Sequence, residues 1–70
     1  MRPVDILDRS KEKRVLIRLK NGAEITGILK AFDLHLNLWL EEAEERKEEK
    51  TVRLGSVFVR GDTVVFVSPE

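Results

Sequence analysis

Phe32-Asp33-Leu34-His35-Leu36-Asn37-Leu38-Trp39-Leu40 is the stretch on which the reading of this chain depends. Asp33, His35 and Asn37 stand two residues apart. In extended chain, side chains alternate between two faces, so these three share one and Leu34, Leu36, Leu38 and Leu40 take the other. One side can bury itself while the other presents a carboxylate, an imidazole and an amide. Such a trio can read a planar polar molecule: the ring stacks, the amide reads an edge and the carboxylate orients the amide. The same alternation also describes a half-exposed strand carrying a solvated histidine.

Outward from this stretch the elements read in order. Arg2 to Asp8 suits a short helix, with Pro3 at its first position and Asp5 in its first turn, where the helix dipole favours an acid. Val4 and Leu7 share a face, and a helix of two turns needs a sheet to lie on. Arg14 to Lys20 alternates, with Val15, Ile17 and Leu19 toward a core. Asn21-Gly22 predicts a type I′ hairpin turn, because both its central residues need positive φ. The next strand runs from Glu24 to about Phe32, with Gly27 as its bend. A tight turn around Asp33 to Asn37 leads into a strand from Leu38. Glu44 to Lys50 holds no apolar residue and is expected as a mobile hairpin tip. Thr51 to Arg60 returns as the fourth strand, Arg60-Gly61-Asp62 makes a tight turn, and Thr63 to Val67 forms the fifth. This last strand is nearly continuous in apolar residues, so both its faces should be covered. Pro69 ends it.

A helix and five short strands in meander order, with a glycine bend, predict a mainly β fold: a small, strongly bent, partly open barrel. The 70 residues make one domain, and a chain of this length is marginal alone. It has no cysteine to supply a disulfide or a thiolate metal site. An apolar edge strand without a proline inside it needs a partner, and another copy of the chain is the economical one. If the fourth strand of one subunit pairs with the fifth of the next, the contact is head-to-tail and closes into a ring.

Charge narrows the partners. Thirteen basic and thirteen acidic residues cancel, which argues against gripping nucleic acid by charge alone. Residues 41–50 carry a net −3, with Glu41, Glu42, Glu44, Glu45, Glu48 and Glu49 against Arg46, Lys47 and Lys50, so the remainder carries +3. A modestly basic body with an acidic projection can bind an anion on one face and repel it from another. No run is long and apolar enough for a membrane and no leader pattern is visible, so a cytoplasmic protein is expected.

Two segments carry a family resemblance. Val15 to Leu40, with Lys20-Asn21-Gly22, Gly27 and Asp33-x-His35-x-Asn37, resembles the first motif of the Sm and Sm-like proteins. Leu54-Gly55-Ser56-Val57-Phe58-Val59-Arg60-Gly61-Asp62 resembles the second. The order, spacing and strand context suit the archaeal-type homo-oligomeric branch. The resemblance implies an N-terminal helix on a five-stranded bent barrel, and rings, most often seven-membered, that bind uridine-rich single-stranded RNA around a pore. It implies that a base lies between His35 and Arg60 and that Asn37 bonds the uracil edge. Gly61 and Asp62 would add contacts, and Asp33 would support the pocket. Trp39 is bulkier than the aliphatic residue expected there, and Phe32 stands where a tyrosine is frequent.

The chemistry of the residues supports the same ligand. Single-stranded RNA is read by stacking on aromatic or guanidinium planes and by bonds to base edges. An amide offers a donor and an acceptor, matching uracil N3–H and O4. Repeating one weak site around a ring gives avidity without a strongly basic surface.

Other readings are weaker. Asp33 and His35 are two metal ligands without a visible third. Arg60-Gly61-Asp62 is better read as a turn than as an adhesion signal. A triad of His35, Asp33 and Ser10, Ser56 or Ser68 lacks nucleophile context. No enzyme activity, cofactor or metal is expected. The competing functions are a ring-shaped scaffold for proteins with secondary RNA binding, separable by oligouridine binding, and a DNA-binding barrel, disfavoured by the zero net charge.

Overall fold

The computed structural model describes residues 2–70. The elements are α1 (Pro3–Arg9), β1 (Arg14–Leu19), β2 (Glu24–Phe32), β3 (Leu38–Lys47), β4 (Lys50–Val59), a 3-10 turn (Gly61–Thr63) and β5 (Val64–Pro69). The strands form one antiparallel sheet in the order β4-β3-β2-β1-β5. β5 therefore crosses back to pair with β1, and β4 and β5 remain as its two open edges. The expected helix and five-stranded open barrel is the observed architecture.

Alternation builds the core. Val15 and Ile17 of β1, Leu29 of β2, and Leu38 and Leu40 of β3 are fully buried, and Val59 of β4 closes over them. Leu7 of α1 packs against this cluster, which anchors a seven-residue helix too short to stand alone. Pro3 occupies its first turn, and the Asp5 carboxylate accepts a bond from the Arg2 N–H at 3.0 Å. Gly27 lies where the β2–β3 register shifts, and a Cβ there would come within 3.2 Å of the Ala43 Cα. The bend thus depends on a close approach of two strands, which only glycine permits without displacement.

Four sequence expectations need correction. First, Asn21-Gly22 does not form a type I′ turn. Gly22 has φ +87° while Asn21 stays in the ordinary negative range. The Gly22 N–H donates to the Leu19 carbonyl at 3.0 Å, and the Leu19 N–H to Ala23 at 2.8 Å. This is a three-residue loop ending in a left-handed glycine, the next favoured hairpin length. The Asn21 side chain accepts from the Ala23 N–H at 2.9 Å and holds it.

Second, the segment from Glu44 onward is no loose tip. β3 stays paired to Lys47 and β4 begins at Lys50, leaving only Glu48 and Glu49 in the turn. Their φ values, 51° and 66°, are those of a two-residue turn of the primed kind, without asparagine or glycine. Third, the tight turn expected around Asp33 to Asn37 forms, but the two-faced alternation read across it does not hold. Leu36 stands at φ 61°, and Leu34 is 83% exposed instead of sharing a buried face with Leu38 and Leu40. Fourth, β5 is not covered on both faces. Val65 is 59% and Phe66 45% exposed, along the free edge.

Candidate nucleic-acid interface

The turn after β2 is shaped by Asp33. Its Oδ1 accepts the backbone N–H of His35 at 2.8 Å and that of Asn37 at 3.1 Å. Its Oδ2 accepts the Asn37 side-chain amide at 3.0 Å. Aspartate offers the backbone these acceptors in place of a ladder, which is why the chain turns here. The Leu36 N–H closes the loop on the Asp33 carbonyl at 3.1 Å. These bonds stabilise the charged carboxylate: the Asn37 amide, then the backbone N–H groups of Asn37 and His35, hold its pKa below the ordinary value, assisted by the charge of His35.

The second loop is built on Thr63. Its hydroxyl and its N–H both donate to the Arg60 carbonyl, at 2.7 Å and 3.1 Å, and fix the Gly61–Thr63 turn. The Arg60 guanidinium pairs with Asp62 at 3.1 Å, with both side chains largely exposed. Resemblance did not bring out Thr63. A threonine closing a turn three residues after Arg60 was the available signal.

The two loops meet at Gly61. Its N–H donates to Asn37 Oδ1 at 2.8 Å. A Cβ at this position would overlap the His35 carbonyl oxygen and lie 2.8 Å from the Leu36 carbonyl carbon. Only glycine allows the loops to seat this closely. Because its N–H is committed to Asn37, Gly61 acts here as a contact point between loops. All six expected residues thus fall in two loops joined at one contact: Asp33, His35 and Asn37 in one, Arg60, Gly61 and Asp62 in the other. His35 and Arg60 flank the contact and are exposed, each presenting a planar side chain.

The Asn37 amide is fixed in one sense. Its oxygen faces the Gly61 N–H and its nitrogen faces the Asp33 carboxylate. A flipped amide would set donor against donor and acceptor against carboxylate, so the assignment follows from the network. One lone pair on Oδ1 and one hydrogen on Nδ2 remain for a ligand. The site offers a fixed donor and acceptor, a ring, a guanidinium plane and a carboxylate at Asp62. Beside it, Leu34 and Leu36 of the first loop and Pro3, Val4 and Leu7 of α1 line a shallow apolar cleft. No group of three or more histidine or acidic side chains that could hold a metal occurs among the described residues.

The comparisons with known proteins agree with this geometry. Residues 5–69 match the LSM domain family. An snRNP Sm-like protein of Archaeoglobus fulgidus is 54% identical over 69 residues, spanning 97% of this chain and 90% of its own. A second, from Methanococcoides burtonii, is 49% identical over 69 residues, spanning 97% and 96%. Among solved structures, the P. aerophilum SmAP1 heptamer matches with a TM-score of 0.93 at 43% identity, over 97% of this chain and 92% of that one. The Pyrococcus abyssi Sm protein, solved in complex with a uridine heptamer, matches with a TM-score of 0.93 at 42% identity over 100% of both chains. With its helix, its five-stranded open sheet and both loop motifs in register, the chain belongs to the LSM domain family.

Proposed function

We propose that this chain is a ring-forming subunit that binds uridine-rich single-stranded RNA at the joined loops, each copy supplying one base site, in RNA processing or ribonucleoprotein assembly. The observation that carries the reading is the pinned Asn37 amide. An amide free to flip would serve cytosine as well as uracil, since the two bases present reversed donor and acceptor patterns. One held by Asp33 and Gly61 presents a single pattern, so a base stacked in a set orientation is selected by its edge. Uracil N3–H and O4 match the free lone pair and the free hydrogen. His35 and Arg60 supply stacking planes with little base preference.

The ring reading is supported by the two open edges, β4 and β5, in a chain small enough to need a shared core. The related P. aerophilum protein is a heptamer, and the Pyrococcus abyssi relative was solved with a uridine heptamer. We assign this chain a binding role and no reaction. No helix among the described residues is long and apolar enough to cross a membrane, and the function proposed fits the cytoplasm.

Native mass spectrometry with and without oligouridine tests both parts. The expected result is a closed oligomer, seven-membered by analogy with the relatives, that gains mass on adding oligouridine. A stable folded monomer at micromolar concentration contradicts the ring. A ring that takes up no oligouridine supports the scaffold reading instead.

A further inference from the structure

Trp39 of β3 stands directly opposite Phe58 of β4, with Ala31 of β2 on its other side. This row lies on the outer face of the sheet, because its neighbours along the strands, Leu38, Leu40 and Val59, are all buried. Trp39 is 39% and Phe58 57% exposed. An indole and a phenyl ring side by side in water contribute nothing to the core, and such a patch marks a place where something binds.

The row adjoins the base site. Trp39 follows Asn37 by two residues and Phe58 precedes Arg60 by two. Arg60 is extended, with φ −74° and ψ 132°, so its side chain leaves the sheet on the same face as that of Phe58. Two residues of extended chain span about 6.6 Å, so the aromatic pair begins one short step from the guanidinium that stacks the uracil. In the other direction the face turns acidic. Glu41 is the next outward residue of β3, Glu42 follows it, and both are exposed. Lys30, beside Ala31, is committed to Glu12 at 2.6 Å.

We propose that Trp39, flanked by Phe58, is a second stacking platform: it takes the base of the nucleotide that adjoins the bound uridine and does not read its edge. The inference rests on the base site proposed above and deepens it. Continuity with that site selects the occupant, since a strand held at Asn37 and Arg60 brings its next base to the indole. The row Ala31–Trp39–Phe58 offers a surface and no polar side chain beyond the indole N–H, so it sorts bases by overlap and not by donor and acceptor pattern. A purine covers more of an indole than a pyrimidine does, which makes adenine the better occupant. Glu41 and Glu42 repel a further phosphate, so the platform takes one base and the strand turns away. An aromatic ring beside carboxylates also suits a cationic side chain, which makes a basic peptide the competing occupant.

Trp39 is the only tryptophan in the chain and there is no tyrosine, so intrinsic fluorescence reports on this platform. The experiment compares two oligomers of equal length at fixed salt, one alternating uridine with adenosine and the other alternating uridine with abasic ribose, beside oligouridine as the reference. The adenosine oligomer should quench Trp39 emission in step with binding and bind at least about tenfold more tightly than the abasic one, which should leave the emission unchanged. W39V should remove that advantage and W39F should keep most of it. If oligouridine binds but the adenosine oligomer gains nothing over the abasic one, or binds without changing Trp39 emission, the platform is overturned and the uridine site stands. An advantage that survives in W39V overturns it equally. Trp39 emission that responds to an oligoarginine peptide and not to RNA gives the patch to a basic protein segment. Failure of oligouridine itself to bind removes the uridine site and the platform together.

Discussion

Two of the places where this chain holds non-glycine residues at positive φ do so by different means. At Leu36 (φ 61°) the backbone is held by side chains: Asp33 takes three donors and Asn37 reaches across to Gly61. At Glu48 and Glu49 (φ 51° and 66°) the flanking β3–β4 ladder alone imposes the turn, and among the described residues no side-chain hydrogen bond or ion pair supports either one. Left-handed backbone costs a non-glycine residue about 1–2 kcal/mol wherever it occurs. In the hairpin that cost brings only a tight turn. In the loop it aims an amide. Strain supported by a dedicated polar network marks the place where geometry matters to a ligand.

The strongest way to break this contrast is Gly61→Ala. The added methyl cannot fit against the His35 carbonyl, so the loops must part and the Asn37 oxygen must lose its donor. Oligouridine binding should fall by at least about tenfold per site, and thermal unfolding should show a loss of about 1–3 kcal/mol, the cost of a broken part-buried hydrogen bond. Unchanged binding would show that the loop contact is incidental. Next, His35→Ala should weaken oligouridine binding by about 1–3 kcal/mol per occupied site, the worth of one base stacked on an aromatic ring, while leaving the unfolding midpoint nearly unmoved. Titration calorimetry and thermal melts on the same sample separate the two effects.

Acid probes the network itself. The Asp33 pKa is depressed in the folded chain, chiefly by the Asn37 amide. Its contribution to stability is therefore fully present above the ordinary carboxylate value and lost as pH falls through the lower folded value. Melts followed below about pH 4 should show a destabilising step in the parent that is missing in Asp33→Asn. The tip should give the smallest effect and the opposite sign. Replacing both residues, E48N with E49G, supplies the residue types that the turn prefers and should raise stability by up to about 1 kcal/mol. Oligouridine binding should not change. A drop in either quantity would mean that the glutamates contribute something beyond the turn.

The hairpin turns also show what was legible in the sequence. Alternation placed the strands because burial enforces it: Val15 and Ile17, and Leu38 and Leu40, all point inward as expected. Asn21-Gly22 marked a hairpin but not its length, since tolerance of positive φ does not fix how many residues the loop holds. The turn for which Asn-Gly is the usual signal was made by two glutamates, where the ladder overrides local preference. The turn at Asp33 to Asn37 was expected, but the alternation there wrongly grouped Leu34 with Leu38 and Leu40, because spacing by two fixes a face only in extended chain and here the N–H groups captured by Asp33 set the backbone path. The two motifs named the six candidate residues, which the folded chain gathers in two joined loops. The bond that joins them was not legible, because Asn37 and Gly61 lie 24 residues apart and meet only in the folded chain.

The central claim is that the pinned Asn37 amide chooses the base. It is tested most directly by competing oligouridine against oligocytidine on the parent and on Asn37→Ala at fixed salt, since phosphate contacts vary with ionic strength. The account predicts weaker uridine binding by the variant and a smaller uridine-over-cytidine ratio, because the stacking planes remain while the edge reader is gone. A variant that binds more weakly yet keeps the full ratio would contradict it and place base recognition on another group.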